Sequence, residues 1–459
     1  MPNPGTTPEE LQTRLETFRF ANYNLRLQPL QTAEDLNRFW VEHDPDLLDE
    51  LEQAITSSLE TEKHLFTGHT GCGKSTLLAE LRYRLDSRYF VVLFSVADLV
   101  EMADINHVNI LFTIATQMME VAEQKNIAIK PSTKKAFYRW FGRYTKVETS
   151  QLEASLDAGY EAGAGLNLAD LIAKFWISLK GNIKANAVIR EEIKTEFDRK
   201  ISDLIGRINE IAAVIQAGCD RPILVIIDDL DKLNPDLAEK VYGNNIQPLS
   251  QPQFRIIYTI PIFVLRDVKL RKLLDASTDK IHTMRVAKFF AKGDSHQLQP
   301  TPVQPKLVES FEKILDRRLS PDLIDPQTKR KLVLKSGGVL REMIRLASRC
   351  CDKYSVRLQR ALRNAEAIVP VNIDAEILEQ VLTDFQIEYD EPLGQKDYEL
   401  LKGIYDQGKP QDTEDQRFLD LLHGLHILEY RNAKLWYDLN PIVIDLLRQE
   451  DVLPELTEP

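Results

Sequence analysis

The stretch TGHTGCGKSTLL, Thr67 to Leu78, constrains the chain more than any other. Gly68, Gly71 and Gly73 admit φ angles that other residues resist, so the loop can curl with its N–H groups turned inward as a nest for an anion. STLLAELRYRL then reads as an amphipathic helix, whose first turn offers unpaired donors and the positive end of a dipole to the same place. Lys74 adds a mobile cation for β and γ phosphates, and the Ser75 hydroxyl can ligate Mg²⁺. Gly68 followed by Gly73-Lys74-Ser75 fits G-x-x-x-x-G-K-[ST] in full. The context agrees, because KHLFTG reads as a short strand feeding the loop. Thr70, Cys72 and Thr76 complete the set expected to touch the nucleotide.

A site of this kind needs an acidic group at the end of a buried strand, and RPILVIIDDLDKL supplies one. Ile223 to Ile227 form an unbroken, mostly β-branched apolar run, as expected for a parallel strand covered on both faces, and Asp228 and Asp229 follow at once. Burying a carboxylate there is costly unless a cation compensates it. Asp228 is therefore read as the Mg²⁺-linked aspartate and Asp229 as the residue that orients or deprotonates the attacking water. Asp231 is expected to cap a helix or face solvent. A third apolar strand, QFRIIYTIPIF, carries Thr259 near its end before Pro261 stops regular pairing. Thr259 is either a sensor of the γ phosphate or a threonine chosen for its strand preference.

The 459 residues allow two or three domains. A formal net charge of −12 argues against a surface that grips nucleic acid throughout, although a local basic face stays open. No segment reads as a targeting signal or as about 18 uninterrupted apolar residues, so a cytoplasmic protein without a membrane partner is expected. The four cysteines show neither CxxC spacing nor nearby histidines, which excludes a disulfide framework or a zinc site as the organising principle. Cys350 and Cys351 read as core-facing helix residues.

Residues 1–45 read as a polar leader, followed by the helix DPDLLDELEQAITSSLE, for which Asp44 or Asp46 is a plausible cap. RYFVVLFSVADL after the loop helix is a second strand, so a doubly wound α/β unit begins here and occupies 46–290. Residues 101–217 form a helical insertion. Its most regular piece, Val188 to Gly218, places Ile189, Ile193, Phe197, Ile201, Leu204, Ile208, Ile211 and Ile215 on one stripe, which predicts a single helix of roughly 30 residues, about 45 Å, with Gly218 at its C-terminal cap. That stripe either packs on the other insertion helices or forms a protein interaction surface. Beyond the third strand the pattern is helical again over 291–385. Ser336-Gly337-Gly338 interrupts it, and Arg341 emerges on the first turn of the next helix, where it can be aimed at a phosphate. Residues 386–459 read as two helices, then HILEYRNAKLWYDL as a hairpin turning at Arg431-Asn432-Ala433. Arg417, on the helix before the hairpin, is flanked by Asp412, Glu414, Asp415 and Asp420, which weakens a DNA-reading role.

Together the 68–75 loop, ILVIIDDLDKL, IIYTI, SGGVLR and the C-terminal helix-and-hairpin pattern resemble the AAA+ and STAND superclass of P-loop ATPases, on the KAP-like side. The resemblance covers roughly 46–100 and 218–459 and leaves the insertion outside. It implies an α/β P-loop NTPase with a parallel sheet of the additional-strand class, a helical lid and a winged-helix-like module. It further implies ATP and Mg²⁺ as cofactors, Thr259 and Arg341 as first and second sensors, and oligomerisation driven by nucleotide state. Arg266 and Arg271 are the only well-placed options for an arginine finger. The Asp-Asp pair, in place of the Asp-Glu usual in remodelling machines, leans towards a switch. The expected function is thus an oligomerising ATP-dependent switch in signalling or defence. A DNA-acting ATPase of the origin-recognition or transposition-regulator type is the alternative, disfavoured by charge. No guanine-reading N/T-K-x-D motif follows the acidic strand, which favours ATP.

Overall fold

Unbroken apolar runs become the buried strands of one sheet, and the periodic segments between them become helices. The computed structural model describes residues 7–158, 168–278, 280–292, 296, 304–363, 371–432 and 434–454. Helices α1 (Pro8–Asn24), α2 (Ala33–Phe39) and α3 (Pro45–Ser57) precede β1 (Lys63–Gly68), and α4 (Lys74–Leu85) leads to β2 (Phe90–Ser95). The insertion runs through α5 (His107–Gln124), α6 (Pro131–Thr145), α7 (Ser150–Ala158), α8 (Leu168–Ala185), α9 (Ala187–Asp198) and α10 (Ile201–Cys219). Then come β3 (Ile223–Asp228), the short α11 (Pro235–Ala238) and α12 (Ile246–Ser250), β4 (Arg255–Ile260), α13 (Val268–Ser277) and β5 (Lys280–Met284). The remainder is α14 (Pro305–Asp316), α15 (Pro326–Lys335), α16 (Leu340–Arg363), α17 (Ala375–Asp390), α18 (Gln395–Gln407), α19 (Gln416–His423), the hairpin β6 (Ile427–Asn432) and β7 (Lys434–Leu439), and α20 (Pro441–Gln449). Two compact units result, Asp49–Thr67 with Leu81–His282, and Met1–Leu48 with Gly68–Glu80 and Thr283–Pro459. No helix among the described residues is long and apolar enough to cross a membrane.

In the first unit the strand order is β2-β3-β4-β1-β5, and the β1·β4, β2·β3 and β3·β4 ladders are parallel. β4 lies between β1 and β3, which is the additional strand expected from the sequence. Every residue of β1, β3 and β4 is buried, as continuous apolar runs in a sheet covered on both faces require. The charged residues at the N-terminal end are tied down: the Lys63 ammonium donates to the Pro252 and Phe254 carbonyls at 2.8 and 3.0 Å, and Arg255 donates to Ser58 Oγ and O at 2.9 and 2.6 Å. β5 is unexpected: it is a partly exposed, mostly polar edge strand, so no apolar run announces it.

The second unit corrects the reading of residues 1–45 as a leader. α1 packs along α16, with the Phe18 and Tyr354 rings 4.2 Å apart and Asn22 bonded to Asp352 and Ser348, both at 2.6 Å. Only Leu15, Phe18 and Ala21 of α1 are buried, too sparse a pattern to betray a helix that polar contacts help to hold. Asp44 accepts from the Leu47 N–H at 3.3 Å and is the cap of α3. C-terminally, α18 and α19 precede the antiparallel hairpin, paired from Ile427↔Leu439 to Asn432↔Lys434; Ala433 at its turn lies outside the described residues.

The insertion departs from expectation in two ways, the break of its longest helix and the place of Gly218. The predicted single helix is two, broken at Arg199-Lys200, because the stripe turns inward on α5 and the aromatic cluster of Phe112, Trp140, Phe141 and Phe197. Seven of its eight apolar residues are buried and Ile201 is half-buried, so this stripe is core and not an interaction surface. Gly218 does not cap the helix: α10 runs to Cys219, and Asp220 takes the left-handed conformation. The role of Gly218 is close approach, since a Cβ there would fall 2.7 Å from Ile127 Cγ2 and 2.8 Å from the Ala128 carbonyl oxygen. Gly218→Val is expected to destabilise the protein by about 1–3 kcal/mol through overpacking, read as a lower urea midpoint with the slope retained; a midpoint at or above that of the unmodified chain would contradict this role.

Candidate nucleotide site

β1 carries the chain to Gly68 at the C-terminal edge of the sheet. Gly68, Gly71 and Gly73 have φ values of 154°, 84° and 103°, so the loop has the backbone the sequence predicts. α4 starts at Lys74, and its first turn presents N–H groups to the loop. The Lys74 ammonium is buried and donates to the Gly68 and His69 carbonyls at 2.9 and 2.8 Å. A cation held by the carbonyls of its own loop is poised to exchange them for phosphate oxygens, which bind an ammonium more strongly. Ser75 sits one residue into α4, and Thr70 and Cys72 lie within the loop. The hydroxyl of Thr76, expected to touch the nucleotide, accepts from the Leu30 N–H at 3.1 Å. Burial pushes the Cys72 thiol up to about 11, against the opposing pull of the Lys74 and Arg341 charges.

The glycines of the loop also admit another helix. The Arg341 N–H, in the first turn of α16, donates to the Gly71 carbonyl at 3.0 Å. A Cβ on Gly71 would fall 2.6 Å from Arg341 Cβ, and one on Gly73 would fall 3.0 Å from Leu340 Cδ1. α16 reaches this position through the turn predicted from Ser336-Gly337-Gly338. Gly337 and Gly338 have φ of 62° and 81°, and a Cβ on Gly338 would lie 2.0 Å from the Ala287 carbonyl oxygen, so no other residue fits. β6 joins the same cluster, since the Glu429 N–H donates to His69 Nε2 at 2.9 Å and the Tyr430 hydroxyl to the Gly337 carbonyl at 3.2 Å. His69 is buried in the loop, and its Nε2 accepts, which places the proton on Nδ1. Sequence reasoning passed over His69, because the motif leaves its position open.

In the sheet unit, β3 ends at Asp228, which is buried and in register with Ser95 of β2. Ligand oxygens of Asp228, Asp229 and Asp231 lie within 4.8 Å of one another. Asp231, expected to cap a helix or face solvent, is instead buried within the 3₁₀ turn Leu230–Lys232, so the acidic end of β3 is a three-carboxylate cluster. Asp229 adopts a left-handed backbone with φ of 69°, and its carboxylate accepts from Ser95 Oγ at 2.6 Å and pairs with Lys232 at 2.6 Å. The Asp229 N–H donates to Asp228 Oδ1 at 2.8 Å. Thr259 lies beneath this turn: its hydroxyl donates to the Ile227 carbonyl at 3.1 Å and accepts from the Leu230 N–H at 3.0 Å, while its own carbonyl accepts from the Tyr242 hydroxyl. Three carboxylates so close, two of them buried, suit a divalent cation with oxygen ligands.

Of the finger options, Arg271 is half-buried and its Nε–H is shared between both carboxylate oxygens of Asp275 on its own helix, each at 2.9 Å. Arg266 is half-buried at the end of a 3₁₀ turn. On α19, Asp415 caps the helix by accepting from the Arg417 N–H at 2.9 Å, which accounts for part of the acidity around Arg417.

Residues 31–257, just under half of the chain, match the KAP family P-loop domain. The fold is similar to that of three solved structures. Cdc6p from Pyrobaculum aerophilum shares 12% identity over 94% of this chain and 98% of that one, with a TM-score of 0.38. The Thermotoga maritima RuvB Holliday junction branch migration motor shares 15% over 92% and 98%, at 0.36. The Aeropyrum pernix Orc1 protein in complex with DNA shares 12% over 95% and 98%, at 0.35. No curated protein matches the sequence.

With its thiol raised to about 11, Cys72 should be on the order of one part in a thousand ionised near pH 8. Brief iodoacetamide treatment followed by peptide mass spectrometry should therefore label the half-exposed Cys219 and spare Cys72 until the chain is unfolded. Equal labelling of the two in the folded protein would count against the packing described for the loop.

Proposed function

With a KAP-family P-loop domain across residues 31–257 as the premise, we propose that the chain is a Mg²⁺-dependent ATPase that works as an oligomerising, nucleotide-operated switch in the cytoplasm. The observation that carries this reading is the grip of the C-terminal elements on the phosphate loop: α16 bonds to Gly71 through the Arg341 N–H, and β6 bonds to His69 through the Glu429 N–H. A ligand that reshapes the loop must act on both, and one that prefers one arrangement of them shifts their populations.

In this reading the main-chain N–H groups from Gly68 to Thr76 cradle the phosphates, and Lys74 trades its loop carbonyls for β and γ oxygens. Ser75 and Asp228 hold Mg²⁺, which when bound neutralises charge building on the phosphates. Asp229 orients or deprotonates the attacking water, its carboxylate steadied by Ser95 and Lys232. Thr259 holds the turn beneath Asp229, and a first-sensor role would require its hydroxyl to leave one of its two bonds. Arg341 is the second sensor, placed by its own helix beside Gly71. The helix-and-hairpin module at the C-terminus serves as a winged-helix-like latch. Asp415 and Asp420 on α19 speak against a DNA-reading face.

Lys74→Ala should abolish nucleotide binding in calorimetry. Asp229→Asn should bind ATP as the parent does and turn over roughly 10²–10⁴-fold more slowly; undiminished turnover would remove the role given to Asp229. Sizing in ATP and in ADP should give different oligomers, and double-stranded DNA should leave turnover unchanged. Stimulation by DNA would instead favour the DNA-acting alternative.

A further inference from the structure

The insertion holds a cavity of about 330 Å³, within the range of small-molecule sites. Phe94 and Leu99 give it a buried apolar floor, and Lys184 of α8 stands at its wall. The Lys184 ammonium donates to the Ala97 carbonyl at 2.8 Å and has no carboxylate partner among the described residues. The neighbouring Lys180 differs, being neutralised by Glu120, which Gln117 also bonds. Lys184 thus faces the cavity without an ion pair, in a lining that also includes Asp98.

Gly181 lies between the two lysines on the same helix and lines the same space. Glycine is the weakest helix former apart from proline, yet nothing stands within 4 Å of where its Cβ would be. No close approach demands a glycine here, and at this point of the lining it adds no side-chain volume.

We propose that this cavity binds a small organic anion with a flat apolar body, its carboxylate or phosphate on Lys184, and that occupancy tunes Asp229. The relay is three hydrogen bonds joined through the backbone of Ala97. Lys184 holds the Ala97 carbonyl, the Ala97 N–H donates to Ser95 Oγ at 3.2 Å, and Ser95 Oγ donates to Asp229 Oδ2 at 2.6 Å. An anion that draws Lys184 away from Ala97 releases the residue that anchors Ser95, and Ser95 steadies the carboxylate. The binding site stands on its own geometry, whereas the tuning rests on the hydrolytic role proposed for Asp229.

The test uses the full chain, with 1-naphthyl phosphate as probe and 1-naphthol as its neutral match, in calorimetry. The phosphate should bind the parent and Lys74→Ala alike, which separates this cavity from the phosphate loop. Lys184→Met and Gly181→Trp, one removing the charge and the other the space, should each weaken it by roughly tenfold or more, and 1-naphthol should bind more weakly by a similar factor. No binding to the parent, or binding unaltered in both variants, overturns the site. In ATP turnover the probe should change the parent rate, and Ser95→Ala should bind the probe without that response. A parent rate that ignores a bound probe overturns the relay. Undiminished turnover in Asp229→Asn overturns the role of Asp229 and leaves the binding result standing.

Discussion

The bond from the Arg341 N–H to the Gly71 carbonyl joins the phosphate loop to the C-terminal half of the chain, and it exists only because Gly71 has no side chain. A methyl carbon there would fall 2.6 Å from Arg341 Cβ, well inside van der Waals contact. The same economy recurs at Gly338, where the Ala287 carbonyl occupies the space of a missing Cβ. Two glycines 267 positions apart therefore do one job, letting a helix start press against a loop whose own φ values are left-handed. The hairpin adds bonds to both partners, one to His69 and one to Gly337. The loop is thereby shaped by elements far away in sequence as well as by its own glycines.

The sheet solves a different problem, that of bringing chemistry to one edge. Parallel pairing of β2, β3 and β4 aligns their C-terminal ends, so Ser95, Asp228 and the Thr259 turn contact emerge together. Inserting β4 between β1 and β3 places a fully buried strand, with Thr259 near its end, directly under the acidic turn. Crevices beyond the carboxyl ends of parallel strands are where open α/β sheets bind ligands.

The parts of this arrangement that were legible in the sequence are those whose signal is local. β1, β3 and β4 are short apolar runs with a glycine, an aspartate or a proline at the end, and the loop has a fixed spacing. The pattern Ser336-Gly337-Gly338 announced a turn because consecutive glycines have few other uses. What escaped depended on distant partners. α1 looked like a leader since its hold on α16 is half polar, through Asn22 and Arg14. The break at Arg199-Lys200 was hidden because the apolar stripe keeps its period across it, while the turn is imposed by packing on α5. His69 gave no signal, since its partner is a backbone N–H 360 residues away.

Asp229 combines these levels. A left-handed backbone costs a residue with a Cβ about 1–2 kcal/mol, and aspartate tolerates it better than most because its short carboxylate can bond locally. Here that freedom is spent on three contacts at once: the Ser95 hydroxyl, the Lys232 ammonium, and the bond from its own N–H to Asp228. Glycine would relieve the backbone and lose the first two contacts. Asparagine would keep the shape while surrendering the charge that attracts Lys232. The strain is maintained by the surroundings, with Thr259 fixing the next peptide from below. Strain of this kind persists where the neighbouring structure over-determines it, and it concentrates where a group must be aimed. The aimed group here is a carboxylate standing beside two others at the end of a buried strand.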